Sequence, residues 1–287
     1  MKKLIFGCGY LGQRVALAWI REGHEVYALT RFEERAEKWS SVGMIPLVGD
    51  VTSPEELPTF PHAETVLYSI GFDRTTGHSM REVYLEGLKN VLTRLPDSVS
   101  RFIDISSTSV YAQQSGEWVD EDSPCEPIRE NGKICLEAER CVEEFSRRDN
   151  SPSVTILRLA GLYGPGRLLR RIEELKSNQK ITGNPDAFLN LIHVDDAAAA
   201  VLACEQNAIS DRYLICDDRP ITRREYYELL AQETGTELPQ FAEEHKPDRT
   251  NLNKRCRNTK MKTELEFTLQ FPTIAEGIPH AIHCVRF

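Results

Sequence analysis

Near the start of the chain, Gly7-Cys8-Gly9-Tyr10-Leu11-Gly12 sets three glycines at the spacing G-x-G-x-x-G. This spacing suits the grip on a dinucleotide's diphosphate. The first glycine makes a tight turn, the second lets backbone approach the pyrophosphate, and the third lets helix and strand pack closely. The N–H groups and positive dipole end of the following helix then face the phosphates. Lys3–Phe6 reads as an apolar strand before the turn. Leu11, Val15, Ala18 and Trp19 recur at helical spacing after it, and Glu25–Leu29 gives a second strand after Gly23. The expected cradle is Gly7, Gly9, Tyr10, Leu11 and Gly12.

The end of the second strand bears on which dinucleotide is held. An acidic residue about 20 positions after the fingerprint would bond a ribose 2′-hydroxyl, whereas an arginine accommodates a 2′-phosphate. Here Thr30-Arg31 stands at that point, with Arg35 a helical turn later, so NADP(H) is favoured over NAD(H). Glu33 and Glu34 nearby are accounted for by a helix N-terminus, and a solvated Arg31 with no ligand is the other reading.

Those residues need elements to hold them. Strand and helix patterns alternate along the chain, which predicts an α/β fold, a doubly wound parallel sheet of Rossmann type. Further strands are expected at Ile45–Val48, Thr65–Ile70, Arg101–Ile105 and Val154–Leu159. Helices are expected from a Ser53 cap with Pro54 in the first turn, over Met80–Arg94, and over about 131–148 with Ile134, Ala138, Cys141, Val142 and Phe145 inward. Ligands in such sheets bind beyond the carboxyl ends of the strands. That adds Asp50, Val51, Ser69, Ile70 and Gly71 to the cofactor set, and brings the segments 106–111 and 159–166 to the site.

Bulk composition is that of a metabolic protein. The 287 residues carry a formal charge of −9, from 35 basic and 44 acidic residues, with no basic run, so neither nucleic acid nor a membrane is an expected partner. No apolar stretch nears the roughly 20 residues that span a bilayer, and the N-terminal apolar run stops too early for a signal peptide. The eight cysteines form no C-x-x-C pair and no metal-ligand spacing with the seven histidines. Reduced core thiols in the cytoplasm, and no metal, are the expectation.

Beyond the fingerprint, several stretches together carry a resemblance: Gly49-Asp50-Val51, Ile105-Ser106-Ser107-Thr108-Ser109-Val110-Tyr111, Arg158-Leu159-Ala160-Gly161-Leu162-Tyr163-Gly164-Pro165-Gly166-Arg167, Leu191-Ile192-His193-Val194-Asp195-Asp196, and the region 261–271. In this order the chain resembles an extended short-chain dehydrogenase/reductase of the NAD-dependent epimerase/dehydratase group. The resemblance implies a dinucleotide-binding domain from 1–165 plus 190–216, and a smaller C-terminal substrate domain from 166–189 plus 217–287, with the active site in a cleft. It also implies a homodimer through the helices beginning near Met80 and Asn131, and a small-molecule substrate bearing a hydroxyl or carbonyl.

The chain departs from that family where the chemistry is done. Such enzymes typically use Tyr-x-x-x-Lys as an acid/base pair, with an upstream Ser or Thr on the reacting oxygen. None of the nine tyrosines has a lysine four positions later, and the family's helix aligns Asn131 with the tyrosine and Cys135 with the lysine. Asparagine cannot titrate. Lys133 lies about 200° around the helix from both and reads as solvated surface. Cys135 shares a face with Asn131 and reads first as a packing thiol. Ser107 matches the family's catalytic Ser/Thr position; it either contacts substrate or ties down a strand end. Tyr111 reads as structural, while Tyr84 could face the cleft. Arg167 is either an anion clamp or a surface residue. His193-Val194-Asp195-Asp196 reads as a strand end and a helix start whose carboxylates complement the dipole. Thr222-Arg223-Arg224-Glu225 is a capping box with Gly235 as the stop, Tyr226-Tyr227 helix surface and Asp217-Asp218 loop. Two functions stay open: an NADP(H)-dependent oxidoreductase or epimerase/dehydratase, and a dinucleotide-binding sensor or partner protein that does not turn over.

Overall fold

A computed structural model describes residues 1–75, 77–177, 179–207, 210–242 and 252–284. Parts of the expected substrate domain, 243–251 and 285–287, lie outside them. In chain order the elements are β1 (Lys2–Phe6), α1 (Gly12–Arg21), β2 (Glu25–Thr30), α2 (Glu33–Ser40), β3 (Ile45–Val48), β4 (Thr65–Tyr68), α3 (Gly87–Leu92), β5 (Arg101–Ser107), β6 (Glu117–Val119) and α4 (Glu130–Ser146). There follow β7 (Ser153–Leu159), β8 (Gly161–Tyr163), α5 (Leu169–Lys176), β9 (Phe188–Leu189), β10 (Leu191–His193), α6 (Val194–Asn207), β11 (Arg212–Ile215), β12 (Ile221–Thr222), α7 (Arg223–Thr234), β13 (Lys254–Cys256), α8 (Thr259–Glu264) and α9 (Ile274–His283).

Seven strands form one sheet in the order β11-β7-β5-β4-β1-β2-β3. β1 pairs in parallel with β2 on one side and β4 on the other, as β2 does with β3 and β4 with β5. Strand order therefore reverses between β1 and β4, the switch point at which α/β sheets open a crevice beyond their carboxyl ends. Near-continuous apolar strands fit this burial. Leu4, Ile5 and Phe6 are fully buried, as are Val66 and Leu67.

Chain packing divides into two compact units: 1–110 with 129–158 and 198–213, and 111–128 with 159–197 and 214–284 of the described residues. In the first unit α1 buries Gly12, Val15, Ala16 and Trp19, so Ala16 takes the inward place expected of Ala18. In the same unit α4 buries Gly132, Ile134, Cys135, Ala138, Glu139, Val142 and Phe145, while Cys141 is only half-buried. Ser53 caps no α-helix: Pro54–Glu56 is a single 3-10 turn without a side-chain cap. The helix expected over Met80–Arg94 runs from Met80 to Leu92, with a π-helical segment, Glu82–Glu86, between its first residues and α3. The fourth strand ends at Tyr68, and the fifth runs on to Ser107.

The second unit holds three two-stranded pairs, β10 with β8, β12 with β9, and β13 with β6. The Thr222–Glu225 box caps α7 reciprocally, and Gly235 ends it at φ 65°. One expectation fails here. Tyr226 and Tyr227 are not helix surface but core, 6% and 1% exposed, because α7 packs against both α5 and α9. Asp217 lies in a loop, yet is 2% exposed, and burial pushes its carboxyl up to about 8.

Candidate dinucleotide site

The glycine turn joins β1 to α1 at the switch point, and its three glycines do different work. Gly7 has φ +87°, and a Cβ there would sit 2.4 Å from the backbone N of Ile70. A Cβ on Gly12 would sit 2.7 Å from the carbonyl oxygen of Gly7. Both positions are closed by the protein's own backbone. Gly9 is exposed, and a Cβ there would meet nothing within 4 Å. That open approach to bare backbone is what a diphosphate needs. Cys8 between them is inert: its Sγ lies 3.8 Å from Met44 Sδ, and burial pushes the thiol up to about 12. Tyr10 is half-buried under the Arg14 guanidinium, 4.5 Å from the ring centroid, and the Leu11 side chain is core.

The end of β4 locks onto this turn. The Ser69 N–H donates to Phe6 O at 2.7 Å, and its hydroxyl donates to Gly7 O at 3.0 Å. Ile70 packs on the core, and Gly71 beyond it has open space around its Cα. Thr30 is buried at the end of β2, its Oγ1 accepting the Phe32 N–H. Arg31 is half-buried and Arg35 exposed, and each guanidinium lies 5.3 Å from the Phe32 ring. Asp50 follows β3, and Val51 packs as core behind it. A cavity of about 540 Å³ opens here, lined by Arg31, Phe32, Gly49, Asp50, Glu56 and Asp73 among others. All the cofactor positions expected from sequence thus fall in the first unit. Their backbone fits a dinucleotide: closed where the turn must be rigid and open at Gly9.

Ser107 ends β5, and its Oγ accepts the Ser109 N–H at 3.1 Å. On α4, Asn131 and Lys133 are exposed while Cys135 is buried, its thiol pushed up to about 11 by burial. A thiol held that high stays protonated at neutral pH and makes a poor base. Tyr84 accepts the Phe72 N–H at 3.0 Å, and burial raises its hydroxyl. Tyr111 is fully buried.

Sequence reasoning missed the polar network behind Ser107. Glu139 on α4 takes Arg158 of β7 in a bidentate pair, at 2.9 and 2.7 Å, with both side chains 1% exposed. The Ser106 hydroxyl donates to the same carboxylate at 2.6 Å, and Arg212 lies 3.8 Å from it. Asp104, two residues earlier on β5, is pushed up to about 8 by burial and by Glu139. Charged residues in the apolar runs Phe102–Ile105 and Ile156–Leu159 were the available signal. The network clamps α4 to the strand that carries Ser107.

Against the known proteins, a match to the NAD dependent epimerase/dehydratase family spans residues 4–216. The chain belongs to that family. Protein YeeZ of Escherichia coli K12 is 27% identical over 280 residues, covering 95% of this chain and 97% of that one. A solved structure described as a putative NAD-dependent epimerase/dehydratase from Methylobacillus flagellatus is 29% identical, covers 98% and 97% of the two chains, and has a TM-score of 0.77. The fold is shared with UDP-glucose 4-epimerase of Thermotoga maritima at a TM-score of 0.83 and 19% identity, over 98% and 97% of the chains. Within the family's fold, the His193 motif closes a strand in the second unit. His193, Asp195 and His280 bring ligand atoms within 4.8 Å of one another, but the Asp195 N–H donates to His193 Nδ1 at 3.1 Å. That bond leaves the neutral ring's proton on Nε2, facing His280 Nδ1 at 3.1 Å. The group is a hydrogen-bonded chain. Asp196, expected to serve the dipole, accepts the N–H groups of Gln270 and Phe271 at 2.6 and 3.0 Å.

No helix among the described residues is long and apolar enough to cross a membrane.

Proposed function

We propose that the chain is an NADP(H)-linked oxidoreductase or epimerase/dehydratase acting on a small metabolite that carries a hydroxyl or carbonyl. The observation that carries this reading is the turn at Gly9, open to a ligand where its neighbours are shut. When bound, the nicotinamide supplies or takes hydride. The chain's own contributions are separable. The turn and the start of α1 hold the diphosphate by backbone N–H groups. Arg31, with Arg35 beside it, supplies the guanidinium for a 2′-phosphate, and no acidic residue ends β2. Ser107 orients the reacting oxygen, on a strand end stiffened through Ser106 and Glu139. The proton passes through water or the substrate itself, since Asn131 cannot titrate and Cys135 is held too high to exchange one readily.

One observation favours a second reading, that of a dinucleotide-binding sensor without turnover. Neither partner of the family's acid/base pair is present at positions 131 and 135. The test separates the two. The purified chain is saturated with NADPH and the reduced-nicotinamide absorbance followed against a panel of aldehydes, ketones and sugar nucleotides. Oxidation that Ser107→Ala abolishes, with NADPH affinity unchanged, supports the enzyme. Tight binding with no turnover on any substrate supports the sensor.

A further inference from the structure

We infer that Asp50 is a specificity-determining residue of the dinucleotide site: its carboxylate competes with a 2′-phosphate for the Arg31 guanidinium. The inference rests on the reading above. Asp50 is no loose surface acid. Its Oδ1 accepts from both the backbone N and the hydroxyl of Thr52, at 2.9 and 2.8 Å, which fixes the plane of the carboxylate. Oδ2 is thereby aimed at two side chains, Arg31 Nη1 at 3.7 Å and His78 Nε2 at 3.9 Å. The Asp50 side chain is only 15% exposed, so its charge is felt across the adjoining cavity, which Arg31 and Phe32 also line.

Both contacts are longer than a hydrogen bond, so Arg31 is held by charge and not by a bidentate clamp. It can exchange Asp50 for a phosphate, which takes a guanidinium in two parallel bonds. The exchange has a cost. It leaves the fixed Asp50 carboxylate, with Asp73 across the same cavity, facing a second anion. A cation at position 78 would lessen that cost by pairing Asp50, whose other neighbour Thr52 carries no charge. NADP(H) and NAD(H) are thus discriminated by a balance between Arg31 and Asp50, not by Arg31 alone.

The test measures dissociation constants for NADP⁺ and NAD⁺ at pH 8, by titration calorimetry, on the full-length wild type, Asp50→Asn and His78→Arg. Asp50→Asn keeps an acceptor for Thr52 while removing the competing charge. The ratio of the NAD⁺ to the NADP⁺ constant should rise about two- to five-fold in Asp50→Asn, the scale of a partly exposed ion pair. It should rise in His78→Arg as well, which serves as the second route should Asp50→Asn fold poorly. A ratio that is unchanged or lower in both variants, with the wild type binding, overturns the inference and leaves the dinucleotide site standing. A wild type that binds neither nucleotide overturns the site itself.

Discussion

Alanine at Gly9 and alanine at Gly7, two residues apart, should fail in opposite ways. At Gly9 the new methyl enters open space, so the fold should lose no more than about 0.5 kcal/mol, the range of surface substitutions. The same methyl occupies the approach to the backbone, and the diphosphate must retreat from its N–H partners. Hydrogen bonds to a charged group contribute about 1.5–3 kcal/mol each, so losing one weakens NADPH binding roughly ten- to hundred-fold. At Gly7 the left-handed φ of +87° costs alanine about 1–2 kcal/mol. The Cβ would also lie 2.4 Å from Ile70 N, which is backbone and cannot rotate away. The end of β4 must then shift, for a total of about 3 kcal/mol or more. For a protein of this size that is a fall in Tm of roughly 6–12 °C. Scanning calorimetry without ligand and NADPH titration by fluorescence read the two effects separately. A Gly9→Ala protein that binds NADPH as the wild type does would refute the assignment of the turn as a phosphate cradle. A Gly7→Ala protein of unchanged Tm would refute the packing argument.

Three further outcomes follow from the interior. Glu139→Gln leaves Arg158 buried beside a neutral partner, and urea denaturation should show a loss of about 3–5 kcal/mol, with a smaller loss when Arg158→Met is added. Asp104 and Asp217 have carboxyls pushed up to about 8 in the folded chain, above the value near 3.9 of an unfolded aspartate, so the native state binds more protons between those limits. Their contribution is therefore present below about pH 4 and is lost as the pH rises to about 8, by up to about 1.4 kcal/mol per pH unit for each group. Urea midpoints at pH 5 and pH 8 should show that Asp104→Asn gains stability relative to wild type at the higher pH, and an equal difference at both would count against it. On α9, Gly277→Ala places a Cβ 2.0 Å from the hydroxyl of Tyr163 on β8, so circular dichroism should show early melting, with NADPH affinity in the first unit retained below the transition.

Much of the first unit was legible because its signals are local. The glycine spacing, the apolar run of β1 and the stop at Gly23 each act within a few residues, and the Thr222 box and Gly235 did the same for α7. What escaped depends on neighbours distant in the chain. Tyr226 and Tyr227 point about 100° apart on a helix, and their burial comes from the two helices, α5 and α9, that flank α7. Glu139, Arg158 and Ser106 meet only through tertiary packing, and nothing in their spacing announces a shared carboxylate. The π-helical segment at Glu82–Glu86 likewise has no marker in its composition. At Ser107 the sequence offered two roles, and the bond from Ser109 accounts for one without removing the other.

Lys3 adds a consequence for biosynthesis. Its side chain is buried, where it pairs with Glu205, 202 residues later, and the Thr65 hydroxyl and Trp19 indole share that carboxylate. Until the ribosome delivers Glu205, the opening strand lacks the carboxylate that pairs this ammonium in the finished fold. A fragment cut before Glu205 lacks that partner too, so the first strand depends on a residue from the last third of the chain.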